Sequence, residues 1–414
     1  MPKEQALAVL QTLEQHGYEA YFVGGCVRDW LLSHEVHDID ICTNALPGDI
    51  MNIFPGHIPT GLKHGTVTVK QGGLLFEVTT FRVEGEYEDH RRPSEVQFVT
   101  DIREDLARRD FTINAMAMDQ HDRLIDPFHG QEDLQAGLIR AVGDPGTRFR
   151  EDALRLLRAA RFAARLGFEI EPQTVEAMGT TAPLLQHIAV ERIREELIKL
   201  IDSEHPQVGI GYLRATQLLS AIPLLSRVFA EERAESEAWR MLHLGSALQK
   251  WAFLLYTAGF HPEQAQAVTA LLKMSKRETE LIVRYVDILT HLSPKWDQPY
   301  EVEWGKLLLD FGWDVCLAVD MLLQAFWWRE RDYRFSQRLI STYEQMPVKT
   351  LKELALTGHD LQQAFQRRAG DWIRLTLLAL LEQAALHGLP NTREDLLAAA
   401  KKEVEAHEYQ AGDS

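Results

Sequence analysis

The sequence has few cysteines, no long apolar run and no excess of positive charge. Three cysteines are scattered among 414 residues, too few for a disulfide framework or a zinc site, so we expect a reducing, cytoplasmic environment. No apolar run is long enough to cross a membrane, and polar residues interrupt the first predicted helix, so we expect neither a membrane span nor a signal peptide. The 44 basic and 61 acidic residues give a net charge of −17, which excludes nucleic-acid binding through bulk charge alone. Any nucleic-acid partner must therefore meet local basic surfaces.

The first 145 residues alternate helical and strand patterns. Apolar residues at helical spacing predict a helix over residues 3–16, which Gly17 ends. Two apolar runs on either side of Gly72 and Gly73 predict a β-hairpin. The predicted strands cover residues 20–23, 38–42, 66–70, 74–81 and 95–99. Because hairpins dominate, we expect a largely antiparallel sheet flanked by helices.

The rest of the chain has a helical pattern. From about residue 144 the strand pattern disappears, and Leu, Ala, Gln and Glu recur at helical spacing nearly to the end. Proline-containing breaks near residues 203–206 and 345–347 divide this part. We therefore predict an α+β fold in four parts, one mixed and three helical. These parts are residues 1–145, 146–203, 204–345 and 346–414.

Two aspartates at alternate positions are the clearest chemical feature. On a strand, residues two apart point to the same face, so Asp38 and Asp40 project together while the isoleucines beside them enter the core. Mg²⁺ takes one or two carboxylates plus substrate phosphates, which makes this pair a candidate metal site. In residues 24–29 (GGCVRD), the Gly-Gly turn lets backbone N–H groups approach phosphate and Arg28 adds a charge. An Asp-x-Asp pair alone is more often a solvated strand edge, and the preceding segment reverses that preference.

Residues 21–29 and 38–47 together resemble the class II branch of the polymerase β nucleotidyltransferase superfamily. This branch contains tRNA nucleotidyltransferases and bacterial poly(A) polymerases. The resemblance implies that Asp38 and Asp40 ligate Mg²⁺ and catalyse nucleotidyl transfer. It also implies a polymerase-β-like catalytic head, followed by a helical neck, a helical body and a tRNA-binding helical tail, in the order of the four predicted parts.

The resemblance assigns three further residues of the head. Gly25 and Arg28 would contact the nucleotide. A third acidic group commonly assists in the superfamily, and Glu77 on the predicted hairpin is the candidate. The alternative for Glu77 is an ordinary outward-facing strand residue.

Residues 108–115 (RRDFTINA) match a second motif of the family. Asp110 and Asn114 lie four residues apart and would share a face on a helix. A carboxylate and an amide placed there can hold ribose hydroxyls, which would select ribonucleotides. Arg109 would face the triphosphate. Without the family, the same run is a surface ion pair at a helix start.

Residues 151–162 predict a helix that could select the base. Asp152, Arg155, Arg158 and Arg161 recur every three residues, and we expect Leu and Phe on the opposite side. Cytosine and adenine present an amino donor beside a ring acceptor, so a carboxylate and a guanidinium can bind either base. Guanine and uracil would leave buried groups unpaired, which is enough for about 10⁴-fold rejection of these two bases.

The family assigns this selecting role to its Glu-Asp-x-x-Arg motif, which here places it on Asp152 and Arg155. Arg158 and Arg161 would add contacts to the base or the triphosphate. The alternative is an exposed helix with ion pairs between successive turns. On the predicted neck helix, Glu191 and Arg194 could hold the selecting helix in place, or could form a plain charged face.

We therefore expect a CCA-adding tRNA nucleotidyltransferase that uses CTP and ATP and releases pyrophosphate. Residues 83–93 have neither helical nor strand period, and the resemblance implies a loop that allows the terminal A to be added. A mobile surface loop would have the same pattern. Three alternatives remain open: an enzyme that adds only A beside a CC-adding partner, a bacterial poly(A) polymerase, and a non-catalytic tRNA-binding protein.

Overall fold

The structure, a computed structural model, divides into two compact units. It describes residues 2–36, 38–85, 87–88, 92–93, 96–230, 235–292, 302–326 and 334–411. The first unit comprises residues 1–242 and 267–274, and the second comprises 243–266 and 275–414. The four-part division made from the sequence is finer than this and stays a prediction.

The strands lie in the first unit. Strands β1 to β13 are Ala20–Val23, Asp40–Thr43, His57–Ile58, Thr66–Gln71, Leu74–Thr80, Arg82–Glu84, Tyr87–Glu88, Arg92–Pro93, Val96–Phe98, Ala117–Met118, Leu124–Ile125, Leu138–Ile139 and Glu169–Ile170. Seven of them form one sheet in the order β11-β10-β1-β2-β5-β4-β3. Every neighbouring pair is antiparallel except β2 and β5, which are parallel. The prediction of a largely antiparallel sheet is confirmed.

Helices surround this sheet and make up most of the remaining chain. Helices α1 to α11 are Pro2–Gln15, Gly25–Leu31, Pro47–Ile53, Ile102–Ala107, Gly130–Ala136, Pro145–Glu151, Leu154–Leu166, Pro172–Thr181, Val190–Ile201, Pro206–Ala215 and Pro223–Ala230. Helices α12 to α20 are Ala247–Thr257, Pro262–Leu271, Lys276–Leu292, Trp304–Phe311, Trp313–Phe326, Arg334–Gln345, Gly358–Phe365, Asp371–Leu386 and Arg393–Ala411. Short 3-10 turns lie at Leu62–His64, Thr112–Asn114, Ala182–His187, Ala238–His243 and Leu351–Glu353. The α+β class expected from the sequence is confirmed.

The hairpin of β4 and β5 shows how local sequence sets the sheet. Gln71 pairs with Leu74 across a two-residue loop. Gly72 and Gly73 both have positive φ, at 57° and 84°, as a tight hairpin turn with the twist of the flanking strands requires. The hairpin carries Glu77 beside the first residue of β2.

Two segments differ from the sequence prediction. Residues 83–93 were expected to have no strand, but β6 pairs with β9 and β7 pairs with β8. Residue 86 and residues 89–91 lie outside the described residues. Strand β13 lies beyond residue 144, where the strand pattern was expected to end, and it pairs in parallel with β12. Strands of two or three residues are too short to show an alternating pattern in the sequence.

The core of each unit is apolar. In the first unit, Val23 of β1 and Leu106 of α4 belong to one buried cluster. In the second unit, Trp251 is fully buried, and the rings of Phe253 and Phe326 stack at 4.5 Å. The three cysteines are buried and free. In the described part of the chain, no helix combines the length and apolarity that a membrane crossing needs, and the cytoplasmic location stays a prediction.

Candidate active site

Asp38 and Asp40 line one cavity of the first unit. Asp40 is the first residue of β2, Asp38 lies just before the strand, and Ile39 between them is buried. Both aspartates are exposed, and the cavity that they line has a volume of about 640 Å³. The alternation of an extended chain therefore brings the two carboxylates to the same side, as expected.

Negative charge is concentrated around Asp40. Its register partner on the parallel strand β5 is Glu77. Burial raises the pKa of Asp40; Arg109 lowers that pKa, and the charges of Glu77 and Asp38 raise it. Glu77 is exposed and is not among the residues that line the cavity, so its role as a third acidic group stays a prediction.

The carboxylates of Asp38 and Asp40 suit a cation whose other ligands are water and phosphate. Among the residues that the structure describes, no three His, Cys, Asp or Glu side chains form a group that could hold a metal ion. A carboxylate whose pKa is raised by neighbouring carboxylates gains from a bound cation, because the cation relieves their repulsion. Mg²⁺ binds through one or two carboxylates and completes its shell with water and phosphate, so the residues present fit it.

Glycine holds open the turn between β1 and α2. Gly24 has φ of 72°, and a Cβ built on it would lie 2.7 Å from Nη1 of Arg109. A side chain at this position would therefore displace the guanidinium as well as strain the backbone. Arg109 also pairs with the buried carboxylate of Asp105 at 3.3 Å. Gly24, Gly25 and Arg109 all line the cavity that holds Asp40.

A chain of hydrogen bonds crosses the floor of the cavity. Arg28 is 2% exposed, pairs with Asp29 and donates from Nη1 to Oδ1 of Asn114 at 2.6 Å. Asn114 donates from Nδ2 to Oδ1 of Asp110 at 3.1 Å. Arg158 binds the other oxygen of Asp110 through Nε at 2.8 Å and Nη2 at 2.7 Å. Burial would raise the pKa of Asp110, but Arg158 and Asn114 outweigh it and hold that pKa well below its usual value.

Asp110 and Asn114 meet without being neighbours on an α-helix. Asp110 precedes the 3-10 turn Thr112–Asn114, and its Oδ1 also accepts from the N–H of Phe111 at 2.9 Å. The helix expected for this segment is therefore wrong, whereas the expected proximity of the two side chains is present. A single tight turn closes the same four-residue spacing.

The helix expected over residues 151–162 is broken at Asp152. Helix α6 ends at Glu151, and α7 begins at Leu154. Asp152 has an extended backbone, with φ of −134° and ψ of 104°, and its Oδ1 accepts from the N–H of Leu154 at 3.0 Å. Aspartate at such a position satisfies a free N–H of the first helical turn, so its side chain starts a new helix instead of continuing the old one.

Asp152 and Arg155 both line the cavity, and other residues hold each of them. Oδ2 of Asp152 pairs with Arg192 of α9 at 3.0 Å. Arg155 is 8% exposed, and its Nη1 pairs with Glu151 at 2.6 Å. Its guanidinium also donates to the carbonyls of Arg148 at 3.2 Å and Arg108 at 2.8 Å. Different neighbours therefore fix the two side chains, and both side chains line the same cavity.

The faces of α7 differ from the predicted ones. Leu154 and Phe162, expected opposite the charged stripe, also line the cavity. Three guanidiniums lie over the Phe162 ring, those of Arg161, Arg28 and Arg158, at 4.1, 5.1 and 5.3 Å from its centroid. Leu154 and Phe162 lie four residues before and after Arg158, so the spacing of an α-helix places them on the face of the charged stripe and not opposite to it.

Helix α9 supports α7 through residues other than those expected. Glu191 pairs with Lys273 at 2.7 Å, and Arg194 donates to the Lys273 carbonyl at 2.6 Å, so the supporting role predicted for both is wrong. Arg192 pairs with Asp152 instead, and the buried Glu196 pairs with Arg161 at 2.5 Å. Arg192 and Glu196 lie four residues apart on one helix face, a spacing visible in the sequence.

The cavity is strongly cationic although the chain is acidic. Eight arginines and four aspartates line it. The sequence predicts five of these arginines as nucleotide contacts: Arg28, Arg109, Arg155, Arg158 and Arg161. It does not single out the other three, Arg108, Arg165 and Arg192. The cavity is therefore a local basic surface of the kind that an acidic chain needs in order to bind a polyanion.

Comparisons with known families match three parts of the chain. Residues 20–140 match the family described as Poly A polymerase head domain. Residues 167–229 match the RNA and SrmB binding site of polymerase A, and residues 242–400 match tRNA nucleotidyltransferase domain 2.

Similar proteins extend over nearly the whole chain. The CCA-adding enzyme of Geobacillus sp. (strain WCH70) is 41% identical over 392 residues, which are 94% of this chain and 93% of that enzyme. The CCA-adding enzyme of Geobacillus stearothermophilus is 39% identical over 404 residues, 96% of each chain. The structure of Bacillus stearothermophilus CCA-adding enzyme in complex with CTP has a TM-score of 0.86 and 34% identity, and 99% of each chain is covered. Thermotoga maritima CCA-adding enzyme complexed with tRNA shares the fold, with a TM-score of 0.66 and 22% identity over 96% of this chain and 94% of that one.

Proposed function

The chain belongs to the family of bacterial CCA-adding enzymes, and from this membership we propose that it adds C, C and A to the 3′ end of tRNA with CTP and ATP as substrates. The 3′-hydroxyl attacks the α-phosphate and pyrophosphate leaves. One observation carries the proposal: a single cavity places a carboxylate pair, eight arginines and the Asp152 and Arg155 side chains around one space. That space can hold a nucleoside triphosphate, whose base, sugar and phosphates need different partners.

Asp38 and Asp40 would hold the Mg²⁺ ions of the reaction. When bound, the metal lowers the pKa of the attacking hydroxyl and neutralises the leaving pyrophosphate. The two carboxylates would supply two of its ligands, and the phosphates would supply others. Glu77, next to Asp40 in the sheet, would add negative charge that favours cation binding.

The hydrogen bonds already present indicate which group contacts the ribose. An ionised carboxylate has about four acceptor sites, and those of Asp110 are taken by Arg158, Asn114 and the N–H of Phe111. The amide of Asn114 makes one bond as donor and one as acceptor, which leaves one N–H and one lone pair. We therefore assign the ribose contact to Asn114 and the fixing of its orientation to Asp110.

The same accounting supports base selection by Asp152 and Arg155. Asp152 accepts two hydrogen bonds, so it has acceptor sites left for an amino group. Arg155 uses three N–H groups of its five, and Nε–H and one N–H of Nη2 stay available for a ring nitrogen. Cytosine and adenine present the complementary pair of groups, and uracil and guanine do not.

The proposed function is tested with two RNA substrates. One is tRNA that ends at the discriminator base, and the other is tRNA that ends in CC, each with labelled CTP and ATP and with the products sized. We expect three added nucleotides on the first substrate and one on the second. Extension of the CC-ending tRNA alone would indicate an A-adding enzyme, a long A tail would indicate a poly(A) polymerase, and no extension would refute the proposal.

The metal assignment is tested in the same assay. We expect Asp40→Asn and removal of Mg²⁺ by chelation to abolish extension while tRNA still binds in a mobility-shift assay. The matched control is Asp122→Asn, because the Asp122 carboxylate pairs with Lys3 at the surface, with 66% of its side chain exposed. Extension by Asp40→Asn at the control rate would contradict the metal assignment.

A further inference from the structure

Arg165 is the most exposed of the eight arginines that line the cavity. Its side chain is 45% exposed, whereas the other seven range from 3% for Arg28 to 34% for Arg158. Among the more buried guanidiniums, Arg28 and Arg155 each make three contacts with protein acceptors and Arg158 makes two. Among the described residues, Arg165 makes one hydrogen bond, from Nη2 to Oδ2 of Asp29 at 3.0 Å. Its remaining N–H groups are therefore available to a ligand.

Asp29 holds two arginines from different elements side by side. Its Oδ1 accepts from Arg28 of α2 at 2.8 Å, and its Oδ2 accepts from Arg165 near the end of α7 at 3.0 Å. Two guanidiniums on one carboxylate leave a net charge of +1. Burial lowers the pKa of Arg28, and the charge of Arg165 lowers it further, in spite of the opposing charge of Asp29. The group of Arg28, Asp29 and Arg165 therefore favours an incoming anion.

The substrate that this cavity is proposed to hold indicates which anion reaches the group, because Arg28, Arg165 and Asp40 line the same space. With Mg²⁺ held by Asp38 and Asp40 as proposed above, the reacting α-phosphate would lie beside these two carboxylates. Arg109 is the arginine whose charge acts on Asp40. The guanidinium of Arg165 instead meets Asp29 beside Arg28, on the helix that follows the Gly24–Gly25 turn. A triphosphate that starts at Asp40 extends its β- and γ-phosphates toward other cations of the cavity.

We propose that Arg165 binds the terminal phosphates of the incoming nucleoside triphosphate, and of the leaving pyrophosphate, beside Arg28. The inference rests on the proposed function, since it takes CTP and ATP as the ligands. Asp29 is the positioning residue that holds both guanidiniums. Because the contact is to phosphate, it serves CTP and ATP equally and takes no part in base selection.

The test is the variant Arg165→Gln, which keeps a polar side chain and removes the charge. A charge-assisted hydrogen bond at a half-exposed site is worth about a tenfold change in affinity. We expect the Kd of CTP, measured by equilibrium titration with Mg²⁺, and the KM of both CTP and ATP to rise by about that factor. The Kd of CMP, which lacks the β- and γ-phosphates, should stay unchanged, and pyrophosphate should inhibit more weakly. Arg165→Lys retains a point charge and should recover part of the affinity.

Arg140→Gln is a closely matched control. The Arg140 side chain is 44% exposed and pairs with Asp133 at 3.2 Å and, more distantly, with Glu171 at 3.6 Å. Asp133 is 9% exposed, like the Asp29 partner of Arg165. Arg140 is not among the residues that line the cavity. Both Gln variants should lower the midpoint of thermal unfolding to a similar degree, but only Arg165→Gln should weaken CTP binding.

Three results would overturn the inference. If Arg165→Gln lowers thermal stability but leaves CTP affinity within twofold of wild type, the residue is a structural ion pair only. If CMP binding weakens as much as CTP binding, the contact is not to the terminal phosphates. If the KM of tRNA rises and that of CTP does not, Arg165 contacts RNA. Wild-type extension of tRNA, measured in the same series, tests the proposed function separately from all three.

Discussion

Replacing Arg192 by glutamine is expected to reduce the selection of cytosine over uracil while leaving the fold intact. Arg192 of α9 holds Oδ2 of Asp152 at 3.0 Å, and the N–H of Leu154 holds Oδ1. Without the guanidinium, only the bond to Leu154 orients the carboxylate. A carboxylate that can rotate presents its acceptor sites less reliably to the amino group of cytosine, and it can turn away from the carbonyl of uracil.

The structure sets the size of this effect. A hydrogen bond between charged groups contributes about 1.5–3 kcal/mol. The side chains of Arg192 and Asp152 are 29% and 19% exposed, so solvent screens part of that interaction. We expect about 1–2 kcal/mol, which corresponds to a loss of about 5- to 30-fold in the ratio of kcat/KM for CTP to kcat/KM for UTP.

The assay is single-nucleotide incorporation on tRNA that ends at the discriminator base, with CTP and UTP in separate reactions. Arg194→Gln is the control, because Arg194 lies two residues further along the same helix and donates to the carbonyls of Leu272 and Lys273 instead. Its selectivity should match that of wild type. An unchanged CTP-to-UTP ratio in Arg192→Gln, or an equal fall in both rates, would refute the idea that Arg192 acts on selection through Asp152.

Two further predictions concern acidity and stability. Because burial and the neighbouring carboxylates raise the pKa of Asp40, activity at limiting Mg²⁺ should fall, as the pH decreases, at a higher pH than an ordinary aspartate would give. A pH–rate profile that falls only below about pH 4 would contradict this. Trp251 is fully buried in the second unit, so Trp251→Ala should cost about 3–5 kcal/mol of the free energy of unfolding in denaturant titration. A loss below about 1 kcal/mol would show that neighbouring side chains fill the space that the Trp251 side chain leaves.

Much of the fold could be predicted from the sequence because the relevant signals are local. The hairpin of β4 and β5 follows from two glycines between alternating runs, and the observed turn uses both in left-handed conformations. Asp38 and Asp40 point to the same side because strand geometry forces alternation. Strands of two or three residues, such as β7, β8 and β13, could not be predicted, because no alternating period can be counted over so few residues.

The parts of the site that the sequence did not predict depend on tertiary partners. The helical period of residues 151–162 is regular, and only the backbone of Asp152 and its bond to Leu154 show that two helices meet there. On α9, the pairs Glu191 with Arg194 and Arg192 with Glu196 are equally plausible supports in the sequence. Which pair faces α7 depends on how the helix is rotated against its neighbour, and no local pattern encodes that rotation.

The cavity shows how an acidic chain can bind a polyanion. Its arginines are held in place by buried carboxylates: Asp29, Asp105, Asp110 and Glu196 each pair with at least one of them. Each pairing fixes a flexible side chain before the substrate arrives, so the conformational entropy of ordering it is lost on folding and not on binding. The carboxylates also reduce the net charge of the empty cavity, which limits repulsion among the eight guanidiniums. Affinity for a triphosphate then depends on the guanidiniums that still have free N–H groups, which is why the exposed Arg165 has more to contribute to binding than the buried Arg28.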